Sequence, residues 1–224
     1  MKTAFLIDGE FFLRRLRSLR GSQTGEQAVV NLTSMVASHL AQLNRPITQL
    51  YRILVYDCPP LAKKLHQPVS KKPVDWSKSP SFTFRTAFHE ALRGQRKVAL
   101  RLGRLSERYG HWTIRPAATK ELLSGKRQFA DLTDNDFEYA VEQKGVDMRI
   151  GLDIASIATK GLVDQMVLVA GDSDFVPAAK MARREGIDFI LDPMGASIPP
   201  DLREHIDGVQ TVLTPLPPPA APPP

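Results

Sequence analysis

Aspartates that follow apolar runs are the residues of this chain best suited to chemistry. Asp8 ends the run at residues 2–8 (KTAFLID), and Asp172 and Asp174 follow the run at residues 165–171 (QMVLVAG). Short apolar runs of this kind are typical of buried β-strands. In open parallel sheets, ligands bind beyond the carboxyl ends of the strands. Both runs therefore predict carboxylates at one shared edge of a sheet.

Carboxylates held this close repel each other strongly in a poorly hydrated cleft, and a divalent cation removes the repulsion. Mg²⁺ or Mn²⁺ is the expected ion, because hard cations prefer carboxylate and water oxygens. Asp147 begins an apolar-periodic helix, and Asp153 follows in the same helix. The predicted metal ligands are Asp8, Asp147, Asp153, Asp172 and Asp174. All of them except Asp153 are also predicted to be catalytic, since such a centre suits phosphodiester hydrolysis.

Simpler interpretations of these acidic residues stay open. Asp147 and Asp174 have the residue type and position of helix caps. Asp153 fits a solvated helix position, and helix geometry alone does not bring it to the same point as Asp147. Ser173 is interpreted either as a phosphate contact or as a cap.

The pattern of apolar residues predicts how these groups are positioned. Strands and helices alternate, which predicts an α/β fold with a mostly parallel sheet covered by helices on both faces. The predicted strands are 2–8, 50–56, 111–116, 165–171 and 187–191, and the main predicted helices are 25–43, 82–108, 119–125 and 174–186. Residues 57–80, rich in proline and lysine, predict a long, partly irregular loop. The proline-rich end, residues 213–224, is expected to be a disordered tail.

Charge is divided unevenly along the chain. The net charge is +6, but residues 58–130 contain 16 Lys or Arg against 4 Asp or Glu, whereas residues 131–224 contain 7 against 16. This division favours a basic surface for a polyanion beside an acidic metal centre. Solvated surface charge is the alternative. Aromatic residues in the basic segment are interpreted as base-stacking or core residues: Trp76, Phe82, Phe84 and Trp112.

Composition excludes several other classes of protein. Cys58 is the one cysteine of the sequence, so no internal disulfide forms. No stretch approaches the roughly 18 apolar residues that span a bilayer, and the first residues lack the features of an export signal. We therefore expect a cytoplasmic protein without a membrane partner.

Three ordered motifs resemble those of the NYN domain, in particular its LabA-like bacterial branch. They are residues 5–10 (FLIDGE), 143–155 (QKGVDMRIGLDIA) and 167–186 (VLVAGDSDFVPAAKMARREG). The resemblance covers about residues 3–209. It implies a Rossmann-like, PIN-like fold, a divalent ion and endoribonuclease activity. The expected organisation is a single domain at 1–212 with a basic, variable insertion at about 57–130.

The resemblance also implies a binding residue and one departure. Lys144 matches the lysine of the second motif, a candidate phosphate contact. Phe11 stands where the family commonly has asparagine, so a hydrogen-bonding side chain is lost, and Glu10 is a candidate outer carboxylate. Basic side chains expected to contact substrate phosphates, independently of the family, are Arg14, Arg96 and Lys97.

The sequence thus predicts a ribonuclease acting on single-stranded or structured RNA, with DNA as an open alternative substrate. A non-catalytic RNA-binding or regulatory module on the same fold is the second interpretation, favoured by Phe11. A phosphatase of the haloacid-dehalogenase type, with Asp8 as nucleophile, is the third. Formation of a homodimer is left open.

Overall fold

The structure, a computed structural model, describes residues 1–214, and for residues 107–109 it describes only the course of the backbone. The strands of this part are β1 (Thr3–Asp8), β2 (Leu50–Asp57), β3 (Lys64–His66), β4 (Pro73–Asp75), β5 (Val98–Leu102), β6 (Arg104–Ile114), β7 (Phe137–Lys144), β8 (Gln165–Val169), β9 (Asp188–Asp192) and β10 (Gly208–Val209). The α-helices are α1 (Gly9–Arg20), α2 (Gly25–Gln42), α3 (Pro80–Arg93), α4 (Pro116–Leu123), α5 (Val146–Thr159), α6 (Val176–Arg184) and α7 (Pro200–Glu204).

Six strands form the central sheet, in the order β10-β9-β8-β1-β2-β5. Every neighbouring pair is parallel, including β1 with β2 and β1 with β8. Because all six run in the same direction, their carboxyl ends lie at one edge, which we call the carboxyl edge. The opposite edge, where the strands begin, is the amino edge. This arrangement confirms the predicted α/β fold.

Helices cover both faces of the sheet, as predicted. Phe5 and Ile7 point to the face that packs against α1, α2 and α3, whereas Ala4 and Leu6 point to the face that packs against α5, α6 and α7. This alternation follows from the two-residue period of a strand. Strands buried on both sides read as continuous apolar runs, which is why β1 and β8 were recognisable from sequence.

The basic middle of the chain differs from the prediction. The helix expected over residues 82–108 ends at Arg93, and the rest of that segment forms β5 and the start of β6. Pairing with β2 gives β5 its backbone hydrogen bonds, and this tertiary contact overrides the helical spacing of Arg and Leu. The expected loop at 57–80 contains the β3–β4 hairpin.

A long hairpin, β6–β7, stands outside the central sheet as a separate antiparallel pair. Gly103 joins it to the carboxyl end of β5, and β7 ends at Lys144, directly before α5. A Cβ atom on Gly103 would lie 2.7 Å from the carbonyl oxygen of Lys144, so glycine allows the two strands to meet this closely. We call β3–β4, α4 and β6–β7 the arm. Its base lies at the carboxyl edge.

None of the helices within residues 1–214 has the length and apolar character needed to cross a membrane. The tail predicted at 213–224 falls, from residue 215 onwards, outside the described residues.

Candidate metal centre

Asp8 occupies the point where β1 turns into α1. Its Oδ1 accepts a hydrogen bond from the Phe11 amide at 3.1 Å, so the side chain caps the helix. A Cβ atom on Gly9 would lie 2.7 Å from the carbonyl oxygen of Tyr56, so only glycine lets the chain turn this close to β2. Burial raises the pKa of Asp8 to about 6, and the Asp147 carboxylate adds to the rise.

Asp172 and Asp174 lie in the turn between β8 and α6. The Asp172 Oδ1 accepts a hydrogen bond from the Asp174 amide at 3.1 Å, which fixes the turn. Both carboxylates are exposed, while Ser173 between them is half-buried. Asp172 is therefore the capping residue of this turn, and Asp174 contributes only its backbone amide to the cap, so its side chain is not a cap.

Asp147 lies in the first turn of α5, after the N-cap residue Gly145, whose φ is 82°. The cap interpretation of Asp147 is therefore wrong, because glycine holds that position. Burial raises the pKa of Asp147, and the carboxylates of Asp172 and Asp174 raise it further. Since Asp147 also acts on Asp8, these mutual interactions link all four carboxylates across three separate elements.

The donor set fits a divalent cation. Four carboxylates lie at one edge and interact electrostatically, and none of them forms a salt bridge with a described lysine or arginine. Hard cations prefer such oxygen ligands, and a bound cation would offset the burial and the repulsion that raise the pKa values of Asp8 and Asp147. Within residues 1–214, however, no three His, Cys, Asp or Glu side chains already have the spacing of a metal site. Asp8 and Asp172 each direct one oxygen to a backbone amide.

Asp153, predicted as a further ligand, has other partners. Tyr56 Oη donates to its Oδ2 at 2.9 Å, and Arg101 Nε lies 3.2 Å from the same oxygen. Burial and the Asp153 carboxylate raise the pKa of Tyr56 far above its ordinary value. Six residues of helix separate Asp153 from Asp147, about 9 Å along the axis and about 120° around it. Because Asp153 already has these partners, we leave it out of the proposed metal centre, and its role as a ligand stays an untested prediction.

Two of the four basic residues predicted to contact substrate are close in sequence to the aspartates at this edge. Lys144 is the last residue of β7, three residues before Asp147, and its Nζ lies 3.0 Å from Glu142 Oε2. Arg14 lies on α1 with its guanidinium carbon 5.8 Å from the centre of the Phe11 ring.

The other two basic residues lie at the opposite edge. Arg96 and Lys97 directly precede β5, whose first residues are at the amino edge. Lys97 Nζ donates to the carbonyl oxygen of Leu50, which begins β2 at that same edge. A parallel strand separates its two ends by its full length, so Arg96 and Lys97 lie apart from the aspartates, and their contact with substrate phosphates stays a prediction.

Phe11, the departure from the family pattern, is 5 % exposed and belongs to the apolar core between the sheet and helices α1, α2 and α3. A Cβ atom on Gly171 would lie 2.5 Å from the Phe11 ring, so the ring lies directly against the residue that precedes Asp172. The neighbouring Glu10 pairs with Arg85, at 2.5 Å between Oε2 and Nη2. An apolar contact thus occupies this position.

Sequence reasoning missed a buried network at the end of β2. Asp57 is 1 % exposed, and its Oδ1 accepts a hydrogen bond from Arg85 at 2.6 Å. His89 Nε2 donates to its Oδ2 at 2.7 Å. The signal in the sequence that could have pointed to it is that Asp57 ends an apolar strand, as Asp8 does. The partners on α3 could not be assigned from sequence.

The aromatic residues of the arm pack mainly against one another. The ring centres of Trp76 and Trp112 are 6.4 Å apart, and those of Trp112 and Tyr139 are 5.4 Å apart. On α3, outside the arm, Phe84 stacks on buried Phe88 with the ring centres 6.4 Å apart. All but Phe88 are half-buried, so packing accounts for much of their surface.

The all-parallel α/β sheet with acidic residues at its carboxyl edge is consistent with a PIN-like fold. Residues 107–211 match the family model of the NYN domain, a PIN-like domain, and this match supports assignment to the NYN family. The matched segment contains Asp147, Asp172 and Asp174, whereas Asp8 lies outside it. A search of curated proteins found no match.

Proposed function

We propose that this chain is a divalent-metal-dependent ribonuclease whose centre is formed by Asp8, Asp147, Asp172 and Asp174. The observation that carries the proposal is the mutual electrostatic interaction of carboxylates from three elements at one edge. The NYN match is consistent with it, since PIN-like domains are typically nucleases. The finer assignments made from sequence, namely the LabA-like branch and the single domain at 1–212, belong to the same proposal.

The four aspartates would hold Mg²⁺ or Mn²⁺ against the phosphate to be cut. Such an ion supplies Lewis-acid chemistry, acidifying water and withdrawing charge from the phosphate oxygens. The Asp8 cap fixes one carboxylate to the start of α1, and the Asp172 cap fixes another to the β8–α6 turn. Both ligands therefore come from rigid elements, which reduces the cost of orienting them.

RNA is the proposed substrate, held by the arm. The arm and the segments flanking it contain the basic excess of residues 58–130, and the arm joins the sheet at the carboxyl edge. Contacts to phosphates give salt-dependent binding without reading sequence. Lys144, at the base of the arm, lies nearest in sequence to the metal centre, and Ser173 is the polar residue inside the β8–α6 turn.

The test is cleavage of an end-labelled single-stranded RNA by the full chain with Mg²⁺ or with Mn²⁺. Asp172→Asn should lower the rate at least a hundredfold, about 2.7 kcal/mol of barrier. Asp188→Asn is the matched control, because Asp188 begins β9 at the amino edge and should leave cutting unchanged. A DNA strand of the same sequence tests the choice of RNA. Equal cutting by wild type and Asp172→Asn would overturn the site.

A non-catalytic RNA-binding module remains a second candidate, favoured by Phe11 and by the absence of a preformed ligand triad within residues 1–214. Binding of RNA by wild type and Asp172→Asn alike, with no cutting by either in any divalent ion, would support that candidate instead.

A further inference from the structure

A cavity of about 640 Å³ lies between α1 and the start of α3, and its lining includes Glu10, two residues after Asp8. Its cationic lining consists of Arg14, Arg17 and Arg85, and its apolar lining includes Leu13 and Phe84. The α1–α2 turn closes one side with Ser22 and Gln23. The volume lies within the range of small-molecule sites, roughly 300–1,000 Å³.

The three arginines differ in how firmly they are held. Arg14 and Arg17 lie on the exposed side of α1, three residues apart and so on one face. Arg85 is 16 % exposed, and its Nη1 is fixed by buried Asp57 at 2.6 Å. Its other nitrogen, Nη2, meets the Glu10 carboxylate at 2.5 Å. Arg85 is therefore held between two carboxylates, and Glu10, whose side chain is 50 % exposed, is the one that a bound anion would replace.

The lining matches the chemistry of a nucleotide. Guanidinium groups bind phosphate oxygens through paired hydrogen bonds, and Arg is favoured where such recognition is needed. Leu13 and the half-buried Phe84 ring offer apolar surface to a ribose or base. A carboxylate such as that of Glu10 cannot stay on Arg85 while a phosphate binds there, because the two anions would repel.

Residues that line the cavity lie near the candidate metal centre in the chain and through packing contacts. Glu10 follows Asp8 by two residues on the same turn. Arg14 lies over the Phe11 ring, and that ring packs against Gly171, directly before Asp172. One strand of nucleic acid could therefore occupy the centre and the cavity together.

We propose that this cavity binds one nucleotide of the substrate strand, with its phosphate on Arg14, Arg17 and Arg85 and with Glu10 displaced from Arg85. The identity of the strand as substrate rests on the proposed nuclease function. The cavity itself does not need the metal, so its occupancy can be measured without cutting.

The first test measures binding of adenosine 5′-monophosphate and of a dye-labelled RNA to the full chain in EDTA at fixed salt. Arg14→Gln with Arg17→Gln should weaken both at least tenfold. Lys160→Gln with Arg184→Gln removes the same charge from exposed positions near the amino edge and should weaken them less than threefold. Adenosine, which lacks the phosphate, should bind at least tenfold more weakly than the monophosphate. Equal losses in both double variants would overturn the proposal, because they would indicate general electrostatic attraction.

The second test uses a substitution that should tighten binding rather than weaken it. Glu10→Gln should tighten binding of the monophosphate several-fold, since Arg85 loses its internal anion. Glu90→Gln removes the same charge from an exposed position on α3 and should leave binding within about twofold. No tightening in Glu10→Gln relative to Glu90→Gln would contradict the proposed displacement. If binding follows these expectations while no RNA is cut, the cavity stands and the nuclease proposal fails. If RNA is cut while the arginine variants bind normally, the nuclease proposal stands and the cavity proposal fails.

Discussion

Two groups of aspartates lie at the carboxyl edge, and their surroundings differ. Asp57 and Asp192 end β2 and β9, are 1 % and 0 % exposed, and each accepts a 2.7 Å hydrogen bond from a histidine, His89 or His39. We call them the paired aspartates. Asp8, Asp147, Asp172 and Asp174 meet other carboxylates instead, and we call them the open aspartates.

The difference shows that position at a strand end does not decide what an aspartate does. A buried carboxylate is stable when the protein supplies a hydrogen-bonded partner. The paired aspartates have that partner from α2 or α3, so they hold helices to the sheet. Among described residues, the open aspartates have no cationic partner, so their charge is left for a ligand to neutralise.

The largest expected effect concerns a paired aspartate. Asp57→Asn should lower the free energy of unfolding by about 3–5 kcal/mol, because Arg85 and His89 lose a buried anionic partner. Urea denaturation of metal-free protein measures this. Asp172→Asn is the isosteric comparison from the open group and should change stability by less than about 1 kcal/mol. A similar cost for both variants would remove the distinction between the groups.

The next effect is stabilisation of the open group by metal. Mn²⁺ at a hundred times its Kd should raise the free energy of unfolding by about 2.7 kcal/mol. Asp147→Asn should lose most of that gain, because it removes one ligand and lowers the total negative charge that attracts the ion. Asp188→Asn, at the amino edge, should retain it. Denaturation curves with and without MnCl₂ give the comparison, and an equal gain in all three proteins would place the ion elsewhere.

A smaller effect follows from the pKa of Asp8, which burial and Asp147 raise from 3.8 to about 6. Between these pH values the folded chain binds more protons than the unfolded chain, so stability falls as pH rises through about 6. Asp8→Asn keeps the helix cap and removes this loss. We expect a gain of about 1–2 kcal/mol at pH 7.5 without metal.

The same variant at pH 4 provides the control for that expectation. Wild-type Asp8 is then largely protonated in the folded chain, so the gain from asparagine should mostly disappear. Stability measured by urea at both pH values decides the sign. A loss of stability at pH 7.5 would mean that the Asp8 carboxylate is stabilised by its surroundings and belongs with the paired group.

Much of the fold could be predicted because buried parallel strands are apolar over their whole length. β1 and β8 show this directly. The helix predicted over residues 94–108 is wrong, because Arg and Leu recur there at spacings that suit a helix or a strand. Pairing of Val98–Leu102 with β2 decides between them, and that contact spans more than 40 residues of sequence.

The positions of the candidate site residues could be predicted in part, but the partners of the neighbouring aspartates could not. Asp8, Asp172 and Asp174 followed from the rule that strand ends share an edge. Asp57 has the same local sequence pattern as Asp8, yet its partners lie 28 and 32 residues away on α3. No local pattern distinguishes a paired aspartate from an open one, because the difference is made by side chains on another helix.

Asp153 gives the finest test, because it lies on the same helix as Asp147 but has partners of its own. In Asp153→Asn the amide oxygen still accepts from Tyr56, and only the pairing with Arg101, which is 47 % exposed, is lost. Pairs this exposed contribute little, so stability should fall by less than about 1 kcal/mol. RNA cutting should stay within about threefold of wild type, below 1 kcal/mol of barrier.

Asp147→Asn, six residues earlier, is the matched comparison, with at least a hundredfold loss of cutting and little loss of stability. If Asp153→Asn instead stops cutting while the fold stays intact, Asp153 must leave Tyr56 and Arg101 to join the centre when the ion binds. Contacts in the metal-free fold would then no longer separate paired from open aspartates. The two variants together therefore decide whether the lack of a hydrogen-bonded or cationic protein partner is the property that defines the aspartates of the centre.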